Sequence, residues 1–238
     1  MSENCIRVRW VQCSYPLSER LKMDRFITSY SNLHDNNVVV NGRLIFYQEN
    51  IAKFADFIKT VFKQEQIVYP RFYKMDSISK LGFLAVELVL KEKAIEGYRP
   101  EAVGVVLSNS SSSLDTDIVH NETVKNRSNY FPSPSVFVYT LPNIVIGEVC
   151  IRHKIKGENV FLISESFNGK LLYDYVNELF NSKRVEACLC GWVEVMGNKC
   201  NAMVALVEST EPGLQGGGSG FSSLLFNAEN LNFIMKRN

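Results

Sequence analysis

Residues 156–169 read Lys-Gly-Glu-Asn-Val-Phe-Leu-Ile-Ser-Glu-Ser-Phe-Asn-Gly, and no other stretch restricts the fold as tightly. Val160, Phe161, Leu162 and Ile163 form a short apolar run, the pattern of a buried strand. Ser164, Glu165 and Ser166 break that run, and a helical pattern follows from Phe167 to Asn181. Strand, tight turn and helix in that order raise one side chain clear of the backbone at a helix N-terminus, where N–H groups favour developing negative charge. The raised side chain is Ser166. A hydroxyl nucleophile needs an adjacent base, yet His34, His120 and His153 all precede it. The shape suits a covalent catalyst while the usual downstream proton acceptor is absent.

Elsewhere strands and helices alternate. Val38 to Val40 and Leu44 to Phe46 flank Asn41-Gly42, a two-residue hairpin signal. Ile51, Phe54, Phe57, Ile58, Val61 and Phe62 keep helical spacing. Asp76 is placed to cap a helix whose buried stripe is Ile78, Leu81, Leu84, Ala85, Leu88 and Val89. Strands are expected at Ile6 to Val11, Val103 to Leu107 and Val185 to Cys190, with a helix over Leu141 to Arg152. Ser110 to Asp117 reads as a polar turn into a helix capped at Ser113. This alternation predicts an α/β fold with a mostly parallel sheet covered by helices. Residues 1–210 are expected to form that domain, and 211–238 a linker containing Gly216-Gly217-Gly218 with an apolar tail.

With 238 residues, 46% of them hydrophobic, the chain can fill one sizeable core. A net charge of +1 offers no field for nucleic acid or an anionic membrane. No run reaches the length of a membrane span and no signal peptide opens the chain, so a cytoplasmic location is expected. Six scattered cysteines favour reduced thiols. Cys188-x-Cys190 is expected to send its thiols to opposite faces of a strand, which argues against a shared metal; no metal or other cofactor is expected.

From Val68 to Glu208 the chain resembles the N-terminal half of a β-ketoacyl synthase, of the thiolase-like fold. The resemblance rests on Tyr69-Pro70-Arg71-Phe72-Tyr73-Lys74-Met75-Asp76 before the first long helix and on Ser133-Pro134 through Asn143 and Gly147. It continues through Lys156-Gly157, Gly169, Gly191 with Glu194, and Ala202 to Glu208. Ser166 falls where the family carries its acyl-accepting cysteine, and Trp192 replaces the second glycine of a Gly-Gly-x-Glu element. The family's two activating histidines belong to a C-terminal half that has no counterpart here, and Val195 to Cys200 is a shortened connection. The resemblance therefore implies a truncated, non-catalytic chain-length-factor-like subunit, the silent partner of an intact synthase. The competing expectation is an enzyme that uses Ser166 for acyl transfer, hydrolysis or decarboxylation.

The resemblance also implies sites. Val160, Phe161, Leu162 and Ile163 would pair with a partner's strand, next to an elbow of Ser164, Glu165, Ser166 and Gly169. Phe137, Tyr139, Thr140 and Leu141 would line the acyl tunnel, where bulk sets product length. Arg152, Lys154 and Lys156 either contact an acyl carrier protein or form a solvated face. The implied partner is a full-length β-ketoacyl synthase in an aryl-polyene or related type II polyketide or fatty-acid-type pathway, with a homodimer open to the isolated chain. On the helix after the elbow, Phe167, Leu171, Leu172, Tyr175, Leu179 and Phe180 are expected inward. Lys170, Asp174, Asn177, Glu178 and Asn181 are expected on a wet or partner-facing side.

Overall fold

The computed structural model describes residues 24–49, 53–126, 128, 130–209 and 221–236; the expected strand at Ile6 to Val11 and the glycine-rich linker lie outside them. The strands are β1 (Phe26–His34), β2 (Asn37–Val40), β3 (Arg43–Tyr47), β4 (Val103–Asn109), β5 (Asn159–Ile163), β6 (Ala187–Met196), β7 (Lys199–Glu208) and β8 (Leu224–Leu225). The helices are α1 (Phe54–Gln64), α2 (Ser77–Glu92), α3 (Leu114–Val124), α4 (Pro134–Phe137), α5 (Ile144–His153), α6 (Gly169–Asn181) and α7 (Ala228–Lys236). No described helix is long and apolar enough to cross a membrane.

Local chemistry places several of these elements. Asn41 and Gly42 adopt φ of 50° and 79°, the left-handed pair that turns β2 back into β3. The Asp76 carboxylate accepts the Ser79 backbone N–H at 3.0 Å and starts α2.

One mixed sheet runs in the order β3-β2-β1-β7-β6-β4-β5, with β8 beside β1. β4 pairs in parallel with β5 and β6, whereas β6–β7, β7–β1, β1–β2 and β2–β3 are antiparallel. The sheet is thus less parallel than the alternating pattern suggests. The cause is local: a turn at Gly197 (φ 62°) folds β6 straight back into β7, and hairpins are antiparallel by construction.

Each face of the sheet carries its own core. On one, Ile58, Leu81, Leu84, Val145 and Val149 of α1, α2 and α5 cover Val105, Leu107, Leu189 and Val204. On the other, Leu172 and Val176 of α6 and Leu231 and Ile234 of α7 cover Ile27, Val106 and Met203. Each such side chain contributes roughly 1.5–3 kcal/mol by leaving water. Cys188 and Cys190 both lie in this second core, correcting the expectation of opposite faces, because residues two apart on a strand share a face. Cys200 sits in the first core. Burial pushes the Cys190 and Cys200 thiols up to about 12, so they behave as apolar packing groups.

The tail does not stand apart from this domain. Leu224 and Leu225 pair with Ile27 and Phe26, and Phe226, Leu231 and Ile234 are buried. The Asn32 side-chain amide donates to the Ile234 carbonyl at 2.9 Å. Gly169 permits this docking, since a Cβ there would stand 2.9 Å from the Ala228 carbonyl oxygen.

Candidate functional site

The carboxyl ends of the parallel strands β4, β5 and β6 meet at one rim of the sheet, where ligands of open α/β folds commonly sit. The Ser164 N–H extends the β4–β5 ladder to the Asn109 carbonyl at 3.0 Å, and the chain then turns through Glu165 and Ser166. Helix α6 begins at Gly169, two residues later than expected, because the Asn168 side chain accepts the Leu171 N–H at 2.9 Å. Ser166 is exposed and stands ahead of the cap. Its carbonyl accepts the Ser164 hydroxyl at 2.9 Å, and no described residue hydrogen-bonds its own hydroxyl. The histidines are engaged elsewhere: His34 with Asp35, His120 against the Phe137 ring, His153 with Glu87. The turn is formed, but none of these contacts supplies Ser166 with a base.

Three residues of the Gly-x-x-Glu stretch, Gly191, Trp192 and Glu194, shape the floor beside it. Gly191 runs under β7 so closely that only hydrogen fits, a Cβ there falling 1.9 Å from the Met203 carbonyl oxygen. Trp192 is buried and meets the Phe167 ring edge to face at 6.1 Å. Glu194 accepts the Ser110 N–H at 2.7 Å, the Ser110 hydroxyl at 2.6 Å and the Ser111 hydroxyl.

The strand delivering the turn lies at the border of the sheet, and among the described residues β5 pairs only with β4. Val160, Phe161 and Leu162 are therefore half-buried and Ile163 is exposed, where the sequence suggested a fully buried strand. Val105 N–H bonds the Glu158 carbonyl and Ser164 N–H bonds Asn109, so the even-numbered residues face β4. Asn159, Phe161 and Ile163 consequently point their backbone groups outward. The opposite border is blunted. β3 carries a register shift opposite Val38 and Val39, and the Gln64 side chain donates to the Ile45 carbonyl at 3.2 Å.

The other sequence-named residues do not form single faces. Phe137 and Leu141 are exposed, whereas Tyr139 turns inward and donates its hydroxyl to Glu148 at 3.3 Å. Burial and the neighbouring Glu148 push the Tyr139 phenol up to about 12. Thr140 spends its hydroxyl on the Phe137 carbonyl. Arg152 is not free: its Nε lies 3.1 Å from Glu87, and its guanidinium stacks 5.2 Å from the Tyr69 ring centre. Lys154 and Lys156 are exposed, but Lys156 shares its recess with Glu101 and Glu158. On α6, Arg25 binds Asn177 and Asn181, so part of the supposed wet face is occupied, while Tyr175 is exposed.

No protein-family model matches this chain, and no curated protein matches it by sequence. Solved structures do match. A structure described as the ishigamide ketosynthase/chain length factor is 18% identical at a TM-score of 0.57, over 83% of this chain and 64% of that one. A type II polyketide-synthase acyl-carrier protein in complex with its ketosynthase, bound to the hexaketide, gives 14% identity and a TM-score of 0.53, over 78% and 62%. A β-ketoacyl synthase from Burkholderia phymatum STM815 gives 13% and 0.52, over 78% and 59%. The chain thus has the α/β fold of ketosynthases and chain length factors, and spans under two thirds of the length of these neighbours.

Proposed function

We propose that this chain is a non-catalytic, chain-length-factor-like subunit that pairs with a full-length β-ketoacyl synthase through β5 and shapes that enzyme's acyl tunnel. The observation that carries the reading is the asymmetry of the sheet borders. β3 is bulged and bridged by Gln64, while β5 presents outward backbone groups in an uncharged Asn-Val-Phe-Leu-Ile sequence. Unpaired edges of that composition invite another strand. The exposed Ser166, with no hydrogen-bonding base among the described residues, supports a silent role over hydrolysis or acyl transfer.

On this reading Phe137 and Leu141 reach the partner's tunnel, and the pathway is of polyene or related polyketide type. Lys154 and Lys156 are the carrier-protein contacts that remain, since Arg152 is committed to Glu87. The deciding experiment is co-expression with a cysteine-bearing ketosynthase encoded nearby. Stable co-purification, lost on Ile163→Pro, supports pairing. Turnover of an acyl thioester by the purified chain alone, abolished by Ser166→Ala, overturns it.

A further inference from the structure

Residues 110–141, which carry α3 and α4, are attached to the body in an unusual way. Thr116 is the sole buried residue of α3, and α4 has none. Apolar side chains that would normally anchor such a segment instead face outward: Leu114, Ile118, Phe131, Phe137 and Leu141 are all exposed, Phe131 to 83%. Burying such side chains supplies most of the adhesion between elements in ordinary folds. Apart from Tyr139, which packs on the first core and bonds Glu148, hydrogen bonds make the attachment. Asp76 accepts the Thr116 hydroxyl at 2.7 Å and Asp115 accepts the Gly197 N–H at 2.8 Å, while within the arm the Ser113 hydroxyl donates to the Thr140 carbonyl at 2.8 Å.

The densest attachment is at the root of this arm. Both Glu194 carboxylate oxygens are used, one by the Ser110 N–H and hydroxyl and the other by the Ser111 hydroxyl. Glu194 lies on β6 just past its last pair with β4 (Ser108–Trp192), still laddered to Asn201 of β7, so it ties the first two residues of the arm to the sheet where β4 ends. Hydrogen bonds to a charged acceptor are roughly twice as strong as neutral ones, and three converge here.

We infer that Glu194 is a positioning residue: it clamps the root of the arm through Ser110 and Ser111 and so holds the arm's apolar side ready for the partner subunit. The partner half of this statement rests on the function proposed above; the clamp does not. A prealigned surface loses less ordering entropy on association than one that must first settle.

Three full-chain variants test it: Glu194→Gln, which turns one acceptor oxygen into a donor; Ser110→Ala combined with Ser111→Ala; and Ser111→Thr, which keeps a hydroxyl. The measurements are backbone hydrogen exchange and affinity for the cysteine-bearing ketosynthase encoded nearby. Glu194→Gln and the double alanine variant are each expected to raise exchange over 110–124 about tenfold and to weaken affinity about tenfold, with protection of β6 and β7 unchanged. Combining them adds little further, and Ser111→Thr behaves as wild type. Unchanged exchange in Glu194→Gln overturns the clamp. Raised exchange with undiminished affinity overturns its positioning role. If the wild-type chain binds no ketosynthase, the partner reading fails, and exchange alone decides the clamp.

Discussion

Gly191 passes beneath Met203 with room for a hydrogen and nothing larger, a Cβ at that position lying 1.9 Å from the carbonyl oxygen. The obstacle is backbone in the middle of the β6–β7 ladder, so it cannot rotate aside. Gly191→Ala is expected to cost about 3 kcal/mol or more, read as a lowered denaturation midpoint with unchanged slope.

Tyr139 and Phe137 separate two roles that adjacent residues usually confound. Phe137→Ala touches an exposed ring and is expected to change stability by less than about 0.5 kcal/mol while altering product length in a reconstituted pathway. Tyr139→Phe removes the hydrogen bond to Glu148 and is expected to cost about 1 kcal/mol with product length retained. Unaltered product length in Phe137→Ala would remove this residue from the tunnel.

Glu87 gives the protein an acid-sensitive joint between α2 and α5. Burial alone pushes its carboxyl up, but His153 and Arg152 outweigh it and hold the group below its ordinary value. A depressed carboxyl stabilises the fold above its unfolded pKa of about 4.3 and loses that contribution as pH falls through the folded value. Glu87→Gln is therefore expected to lower stability by about 1–2 kcal/mol at neutral pH and to flatten the acid limb of the stability profile. Urea titrations at pH 7 and below pH 4 check both parts.

Ile163→Pro tests the border strand without disturbing its ladder to β4, because the lost N–H points away from β4 and the side chain is exposed. Stability is expected to fall by about 1 kcal/mol or less, with pairing lost in size-exclusion chromatography.

What was legible in the sequence was local. Asn41-Gly42 and Asp76 declare a turn and a cap through neighbours two or three residues away, and both formed as expected. The strand and helix around Ser166 were also readable, apart from the later start that Asn168 imposes. The thiolase-like architecture came from the order of motifs between Val68 and Glu208, not from periodicity. Contacts far apart in the chain were hidden. Glu194 meets Ser110 at the end of the neighbouring strand 84 residues away, α7 returns to Gly169, and β7 enters antiparallel beside β1, none of which leaves a periodic trace. Tyr139 shows the same limit, since nothing in Val-Tyr-Thr tells an inward ring from an outward one until Glu148 is placed.

The contrast between the bulged, Gln64-bridged strand and the bare strand at the far side makes the two ends of the described sheet unequal as platforms for growth. Lateral growth of a sheet needs two sticky flanks, as fibres show. On the pairing proposed above, a sheet that offers one long bare flank among its described residues takes a strand-to-strand neighbour on that side alone, so joining a twin or a larger relative there caps the sheet instead of extending it.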